Sequence, residues 1–404
     1  MDIPEDLGAR LADNLLQEAI RRRATDIHVE PHAEGAKVRY RIDGTLYDGE
    51  PISRQNRFAV MARLKQLAGM DTTTRRICQD GRMSYSFEDS EYYLTVNVVP
   101  YVDGEKIVAK VLRAAGTVGL TQIADPADQA KLEALISRTH GLILVTGLVD
   151  SGRTSTLMSL AARLAERGLN VASVEEAALL RIPGVRQAEV NMEVGLTFPI
   201  LFRAVLRQDV DAMLVGEMRD REAALLTAEA ALQGRLVLAG LHTDDAPSAI
   251  SRLLDLGMPA FMAATALLGV CSQRLVRTIC PGCKEQTTPE AETLSALGLD
   301  PAGGTPFYYG RGCRQCAGSG YLGRVAIHEI LENSEEMHHL IITRATSHAL
   351  RQKAIEQGMV TFTTAAGSLA MAGRISAEEA ARAASQVRAL LPKDATRAPK
   401  PSGS

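Results

Sequence analysis

The pattern of apolar and polar positions divides the chain into two regions of different character. Residues 10–23 repeat apolar positions at helical spacing and predict an amphipathic helix. Residues 58–70 predict a second helix, which Gly69 ends. Between and after these helices, short runs rich in Val, Ile and Tyr alternate with polar residues and predict half-buried strands at 26–31, 36–44, 92–100 and 106–113. The first region is therefore expected to be a small α+β domain, residues 1–115.

A linker at 116–125, with a strand-like end, is expected to follow this domain. Asp125 and Pro126 then resemble the N-cap and first position of a helix, with Asp128 in its first turn. From Gly141 onward, continuous apolar runs alternate with helical stretches. Such runs suit strands buried on both faces, and the alternation favours a parallel sheet covered by helices. The four runs are 141–147, 170–174, 212–217 and 235–240.

The last third of the chain is rich in cysteine and glycine before it becomes mostly helical. We expect a cysteine-containing subdomain at 278–325 and a helical subdomain at 330–390, both within a larger domain spanning 126–392. Ser376 and Glu379 have the spacing of a capping box. The Pro/Ser/Lys-rich residues 393–404 predict a disordered tail.

Composition narrows the possible functions. The net charge is −3, and aromatic residues make up 4% of the chain with no Trp, which disfavours a nucleic-acid-binding protein. Apolar runs fall short of the roughly 18–20 residues that span a bilayer, and the acidic N-terminus lacks the apolar segment of a signal peptide. The expected location is the cytoplasm.

A glycine-rich turn follows the first apolar run of the larger domain. Gly147–Thr154 matches G-x-x-x-x-G-K-[ST] except that Arg153 stands in place of Lys. A strand before and a helix after such a turn would direct backbone N–H groups at phosphates, and Thr154 would place its hydroxyl on Mg²⁺. The alternative is a turn that binds no ligand, which the longer, planar Arg153 favours. The candidate nucleotide-binding residues here are Gly147, Ser151, Gly152, Arg153, Thr154 and Ser155.

Three further polar features follow predicted strands or helices. Glu217 ends an apolar strand that we expect beside the strand of the glycine-rich turn, where a carboxylate reaches Mg²⁺ through water; a surface Glu is the alternative. Arg203 and Arg207 are four residues apart and would share one helix face. They would contact phosphate there, and the alternative is a helix face that only contacts solvent. His242 follows a strand and would sense a γ-phosphate, or only form a turn.

Four of the six cysteines form two C-x-x-C pairs. Cys280 and Cys283 precede Cys313 and Cys316 by a spacing that suits a tetrahedral, structural Zn²⁺. Four thiolates leave no open position for catalysis. The alternative is four free thiols in a subdomain that has lost its metal. Cys78 and Cys271 have no matching partners in the sequence.

These features, in this order, resemble the type II secretion and type IV pilus assembly ATPases. The resemblance covers residues 10–385 and is most specific in ATDIHVEP, CQDGR, LRQDVDAMLVGEMRD, QGRLVLAGLHTDDAP and GCRQCAGSGYLGRVAIHEIL. It implies a PAS-like nucleotide-clamp domain, a RecA-like ATPase domain and a six-membered ring that uses ATP and Mg²⁺. It also implies that Glu217 is the Walker B carboxylate, His242 belongs to the histidine box, and Cys280, Cys283, Cys313 and Cys316 hold Zn²⁺. The implied phosphate contacts are Arg203, Arg207 and, from the first domain, the clamp residue Arg82.

The chain departs from the family pattern where catalysis depends on it. The family's aspartate box begins here at Glu175, but Leu179 replaces the Glu that orients the attacking water. Arg153 replaces the P-loop Lys, and Asp150 adds negative charge beside the expected phosphates. Each such element commonly contributes a factor of about 10² or more to the rate.

The sequence therefore predicts an ATP-binding subunit with impaired hydrolysis in a secretion or pilus apparatus. The alternative is a fully active motor, and a DNA translocase is disfavoured. The expected partners are identical chains or an active homologue in a hexamer, an inner-membrane platform protein and cytoplasmic adaptors, with no nucleic acid. Peripheral association with the inner membrane would come through these partners.

Overall fold

The computed structural model describes residues 5–113, 118–300 and 304–385. Contacts divide them into two compact units. The first consists of 5–113 together with Gly312–Tyr321, and the second contains the remainder. No helix among the described residues is both long and apolar enough to cross a membrane.

The first unit is an antiparallel sheet covered on one face by two helices. Its elements are α1 (Glu5–Arg21), β1 (Asp26–His32), β2 (Gly35–Ile42), β3 (Thr45–Asp48), β4 (Ile52–Ser53), α2 (Arg54–Leu67), β5 (Gln79–Phe87), β6 (Ser90–Tyr101) and β7 (Gly104–Arg113). The strand order is β3-β2-β1-β7-β6-β5, with β4 paired to β2. Apolar faces of both helices pack on alternate residues of the strands, as with Leu16, Leu64 and Ile27. The two helices and four strands expected here are confirmed, and β3, β4 and β5 are additional.

A buried charge pair ties α2 to the hairpin of β6 and β7. The side chain of Lys65 is 1% exposed, and its Nζ lies 2.8 Å from Glu105 Oε1. The same ammonium donates to the carbonyl of Thr74 at 2.7 Å. The loop between α2 and β5 is thus anchored by one lysine.

The second unit is built on a mainly parallel seven-stranded sheet with helices on both faces. Its elements up to the central strands are α3 (Leu120–Ile123), α4 (Pro126–Leu135), β8 (Gly141–Thr146), α5 (Arg153–Glu166), β9 (Val171–Glu175), β10 (Val185–Glu189), α6 (Phe198–Val205), β11 (Ala212–Val215), α7 (Arg221–Leu232) and β12 (Leu236–Leu241). The elements that follow are α8 (Ala246–Asp255), α9 (Ala260–Ala266), β13 (Leu267–Ile279), β14 (Lys284–Thr287), α10 (Ala291–Ala296), β15 (Phe307–Gly310), β16 (Tyr321–Glu332), α11 (Glu335–Ile342), α12 (Ser347–Glu356), α13 (Phe362–Met371) and α14 (Ala377–Ala384).

The strand order is β10-β9-β11-β12-β8-β13-β16, and β14 pairs with β15 separately. Strands β8, β9, β11 and β12 are buried along their whole length, because separate apolar clusters cover the two faces of the sheet. The expected parallel sheet is confirmed. The predicted start of α4 is also confirmed, since Asp125 accepts the N–H groups of Ala127 and Asp128.

Four sequence expectations need correction. The strand-like end of the linker is the short helix α3, whose Leu120 and Ile123 are buried. The chain after the cysteine-rich region is not helical at first, because Tyr321–Glu332 form the 12-residue strand β16. Strand β11, which precedes Glu217, does not lie beside β8, because β12 separates them. Arg207 lies beyond the end of α6, which stops at Val205.

The last helix begins as its sequence predicts. The Ser376 hydroxyl accepts the N–H of Glu379 at 3.2 Å. The Glu379 carboxylate is buried and binds Arg277 of β13 as well as Arg382. The predicted disordered tail at 393–404 lies outside the described residues.

Candidate functional site

The glycine-rich turn connects the end of β8 to the start of α5. Gly147, Asp150 and Gly152 have φ angles of 152°, 64° and 85°, a region that favours glycine and tolerates Asp. A Cβ on Gly147 would lie 2.4 Å from Ser151 Oγ, and one on Gly152 would lie 2.5 Å from Gln273 Nε2. The two motif glycines are therefore required by both backbone conformation and space.

The turn offers groups suited to an anion. Ser151 is 6% exposed, and its Oγ has no hydrogen-bond partner among the described residues. Thr154 and Ser155 are exposed at the start of α5, where the first-turn N–H groups and the helix dipole favour negative charge. This donor set fits a phosphate group, although the exposed Asp150 opposes it with its own charge.

The side chain of Arg153 lies against His242 and Glu217, the two residues expected at the ends of other strands. Its Nη2 lies 3.0 Å from His242 Nε2 and 3.9 Å from Glu217 Oε2. The Arg153 side chain is only 12% exposed, and its Nε and Nη1 are buried without a partner in the described parts of the chain. Burial lowers the pKa of Arg153, and the charge of Glu217 opposes that shift. The guanidinium therefore sits in a partly desolvated position with two donors unused.

Glu217 is shared by three neighbours. Its Oε1 lies 3.1 Å from His242 Nε2, and its Oε2 accepts from Arg219 Nε at 3.2 Å. His242 Nε2 thus faces a donor on Arg153 and an acceptor on Glu217, and a single ring nitrogen satisfies one of them at a time. The structure brings together Arg153, Glu217 and His242, and adds Arg219, which the sequence reasoning did not single out. Its position two residues after Glu217 was the available signal.

Glu175 ends β9 and is buried beside the next strand end. It is 6% exposed, and its Oε1 accepts from Ser173 Oγ at 2.6 Å and from Gln187 Nε2 at 3.1 Å. A Cβ on Gly216 would lie 3.7 Å from Glu175 Cγ. Glu175 therefore lies against the residue that precedes Glu217. Leu179 is partly buried in the following loop and offers no proton acceptor in its side chain.

The three arginines expected to contact phosphate are not among the residues that surround Glu217 through the contacts described above. Arg203 is exposed and pairs with Glu222 Oε1 at 3.0 Å. Arg207 donates to the carbonyl of Arg203 at 2.9 Å. Among the described residues, neither contact connects Arg203 or Arg207 to Arg153, Glu217 or His242. Arg82 is an exposed residue of β5, the edge strand of the first unit.

The four paired cysteines form a compact cluster. The Sγ atoms of Cys280, Cys283, Cys313 and Cys316 all lie within 4.8 Å of one another. The Sγ of Cys316 accepts the N–H groups of Cys313 and Gly320 at 3.2 and 3.3 Å, which stabilise a thiolate. This donor set fits a tetrahedral Zn²⁺.

The two remaining cysteines differ in exposure. Cys78 is exposed, whereas Cys271 is fully buried in β13. Burial raises the pKa of the Cys271 thiol, so it behaves as an inert core residue.

Comparison with known proteins identifies relatives along nearly the whole chain. The model of a family described as type II/IV secretion system protein matches residues 5–382. The type IV pilus assembly ATPase PilB of Thermus thermophilus is 38% identical over 368 residues, which are 90% of this chain and 41% of PilB. The type II secretion system protein E of Pseudomonas aeruginosa is 37% identical over 351 residues, which are 86% of this chain and 70% of the relative. This chain therefore spans less than half of the PilB relative.

Solved structures show the same fold. The Legionella pneumophila ATPase DotB superimposes with a TM-score of 0.66 at 18% identity, over 91% of this chain and 93% of DotB. The pilus retraction motor PilT, solved with bound ADP, gives a TM-score of 0.61 at 23% identity, over 93% of this chain and 96% of PilT. The second unit is thus a RecA-like P-loop domain preceded by a smaller α+β domain.

Proposed function

The chain belongs to the type II/IV secretion system protein family, and from this membership we propose that it is an ATP-binding subunit with impaired hydrolysis. It would act as a homologue of the hexameric motors in a type II secretion or type IV pilus assembly system. The relatives named as PilB and protein E support the system. The state of the P-loop supports the loss of turnover.

The position of Arg153 carries this proposal. A P-loop cation must contact the β- and γ-phosphates during transfer, but Arg153 is held at 3.0 Å from His242 and 3.9 Å from Glu217. To reach a phosphate, the guanidinium has to leave both. The surrounding backbone cradle keeps its shape, because it depends on the glycines and not on residue 153.

Binding and turnover are therefore expected to separate. The start of α5, with Ser151, Thr154 and Ser155, would hold the phosphates. Thr154 and Glu217 would hold Mg²⁺, which neutralises phosphate charge when bound. Arg203, Arg207 and Arg82 would add phosphate contacts once neighbouring chains and nucleotide are in place.

The aspartate box supports the same conclusion from the other side of the site. Glu175 is retained, but its Oε1 is held by Ser173 and Gln187. Leu179 stands where the family has the Glu that orients water, and a hydrocarbon side chain accepts no proton. The missing water-orienting Glu and the displaced Arg153 both slow the same hydrolysis step. Their effects on the rate therefore overlap and are not additive.

The proposed setting is a ring of this chain, or a mixed ring with an active homologue. An inner-membrane platform protein and cytoplasmic adaptors would be its partners, and Zn²⁺ at the four cysteines would be structural. The subunit would then work from the cytoplasmic side of the inner membrane.

Calorimetry and phosphate release on the same preparation test the proposal. We expect Mg-ATP to bind, with phosphate release no faster than that of the Glu217→Gln variant. We also expect Arg153→Lys combined with Leu179→Glu to raise turnover by about 10². If no Mg-ATP binds at millimolar concentration, the nucleotide function is wrong.

A fully active motor is the second candidate, and one observation favours it. Glu217 and His242 remain within 3.1 Å of each other, and Thr154 is exposed for Mg²⁺. An active motor requires wild-type phosphate release that falls at least about 10²-fold in Glu217→Gln. That result would overturn the claim of impaired hydrolysis while keeping the nucleotide site.

A further inference from the structure

The side chain of Gln273, on β13, makes two hydrogen bonds where the turn after β8 joins helix α5. Its Nε2 donates to the carbonyl of Ser151 at 2.8 Å, and its Oε1 accepts from Thr156 Oγ1 at 2.5 Å. Gln273 and Thr156 are 2% and 0% exposed. One buried carboxamide thus bonds both Ser151, which precedes α5, and Thr156, in the first turn of α5.

A second buried residue fixes that carboxamide. His328 of β16 places its Nε2 3.1 Å from Gln273 Oε1 and its Nδ1 3.0 Å from Asp128 Oδ2. The His328 side chain is 0% exposed. Gln273 Oε1 accepts, so the ring nitrogen that faces it, Nε2, is the donor. Close polar contacts therefore run without a break from α4 through β16 and β13 to the turn.

The orientation of one peptide group makes this chain relevant to ligand binding. In a planar trans peptide, C=O and N–H point in opposite directions. Holding the Ser151 carbonyl on Gln273 therefore aims the Gly152 N–H away from β13. A phosphate cradle needs its N–H groups outward and its carbonyl groups turned back.

We propose that Gln273 and His328 are positioning residues that hold the turn in its anion-binding conformation before any ligand arrives. Gln273 orients the Ser151–Gly152 peptide and the first turn of α5, and His328 orients Gln273. This inference rests on the proposed nucleotide function only in naming phosphate as the ligand. The preorganisation itself is a property of the ligand-free chain.

Isosteric variants separate positioning from general stability. Thr156→Val removes the hydroxyl that bonds Gln273, and Thr227→Val removes an equally buried hydroxyl in α7 that bonds only its own helix. Gln273→Leu removes both bonds to the turn. His328→Gln keeps a donor toward Gln273 but gives up Asp128, whereas His328→Leu keeps neither.

Residue-resolved hydrogen exchange on the ligand-free full chain is the first measurement. The Ser151 and Thr156 N–H groups bond to Leu148 and Gly152 carbonyls and report the closed turn. We expect both amides to exchange about tenfold faster in Gln273→Leu and His328→Leu, and severalfold faster in Thr156→Val. We expect wild-type rates at these two amides in His328→Gln and Thr227→Val, even though Thr227→Val lowers the melting temperature.

Calorimetry with Mg²⁺ and a non-hydrolysable ATP analogue is the second measurement. Affinity should fall about tenfold in the variants that loosen the turn and recover in His328→Gln. Wild-type exchange rates in folded Gln273→Leu, or equal loosening in Thr227→Val, would overturn the positioning role. If Gln273→Leu does not fold, the exchange rates and affinities of Thr156→Val, His328→Gln and His328→Leu test the positioning role instead. If the wild type binds no nucleotide, the proposed function fails, while the exchange rates still decide this inference.

Discussion

Replacing Arg153 by Lys tests whether this side chain limits nucleotide binding. The lysine ammonium ends one bond short of the Arg153 Nη2 that contacts His242 at 3.0 Å, so that contact is lost. His242 Nε2 then has only the Glu217 acceptor at 3.1 Å to satisfy. The compact lysine cation is free to turn toward a phosphate.

The expected magnitude follows from what Arg153 must give up. A hydrogen bond that involves a charged group, here the Arg153 guanidinium, is worth about 1.5–3 kcal/mol. At 3.9 Å from Glu217, the gross Coulomb attraction is about 4 kcal/mol for an effective dielectric constant near 20, and Arg219 already offsets much of the Glu217 charge. A net barrier of about 1–3 kcal/mol corresponds to roughly 10- to 100-fold in affinity.

Titration calorimetry with Mg²⁺ and a non-hydrolysable ATP analogue measures the change directly. We expect Arg153→Lys to bind at least about tenfold more tightly than the wild type. Arg163→Lys is the matched control, because it makes the same change at the other end of α5, on an exposed residue paired with Glu133. An Arg153→Lys affinity equal to or weaker than wild type, with Arg163→Lys unchanged, would refute the reasoning.

Three further changes probe the scaffold. The side chain of Glu379 is 0% exposed; burial raises its pKa, but bonds from Arg277 outweigh this and hold the pKa below its usual value. The Glu379 contribution is therefore present above its ordinary pKa near 4.5 and is lost as pH falls through the lower pKa of the folded state. Glu379→Gln should cost about 3–5 kcal/mol in urea unfolding at pH 7, and this cost should shrink steadily as the pH is lowered below 4.5. Lys65→Met should cost a similar amount by leaving Glu105 unpaired, and adding Glu105→Leu should recover most of it, as chemical denaturation would show. Zinc removal, or Cys283→Ser, should lower the melting temperature by at least several degrees, with bound metal measured in parallel; an unchanged melting curve in a zinc-free preparation would contradict a structural metal.

The sequence predicts those parts of the fold that depend on local pattern. Continuous apolar runs identify the buried strands β8, β9, β11 and β12, and cap chemistry locates α4 and α14. Strand order does not follow from local pattern, because after a crossover connection it is tertiary packing that decides which strand becomes the neighbour. For this reason the sequence misplaced β11 beside β8, although β12 lies between them.

Strands β13 and β16 escaped prediction because their patterns mix apolar and polar residues. Each carries a buried polar side chain, Gln273 and His328, at a position that local rules assign to the surface. Their partners are distant in sequence, on α4, α5 and each other. Burial of such groups is decided by those partners and leaves no local signal.

Three members of the candidate site were predicted from the sequence, but their conformation was not. The motif identified Arg153, Glu217 and His242, and the sheet does bring them together. It could not show that Arg153 would turn onto the other two, since a rotamer is chosen by neighbours from separate strands.

The turn and its cation are built from different parts of the protein, and this explains how binding could survive a loss of turnover. Gly147, Gly152 and the buried carboxamide of Gln273 set the backbone, and none of them depends on the side chain at position 153. That side chain belongs instead to the cluster at the ends of β11 and β12. A substitution there redirects charge without disturbing the backbone N–H groups that hold a phosphate. Gln273→Leu should therefore lower the affinity for a non-hydrolysable ATP analogue both in the wild type and in Arg153→Lys, because the turn and its cation are separate groups.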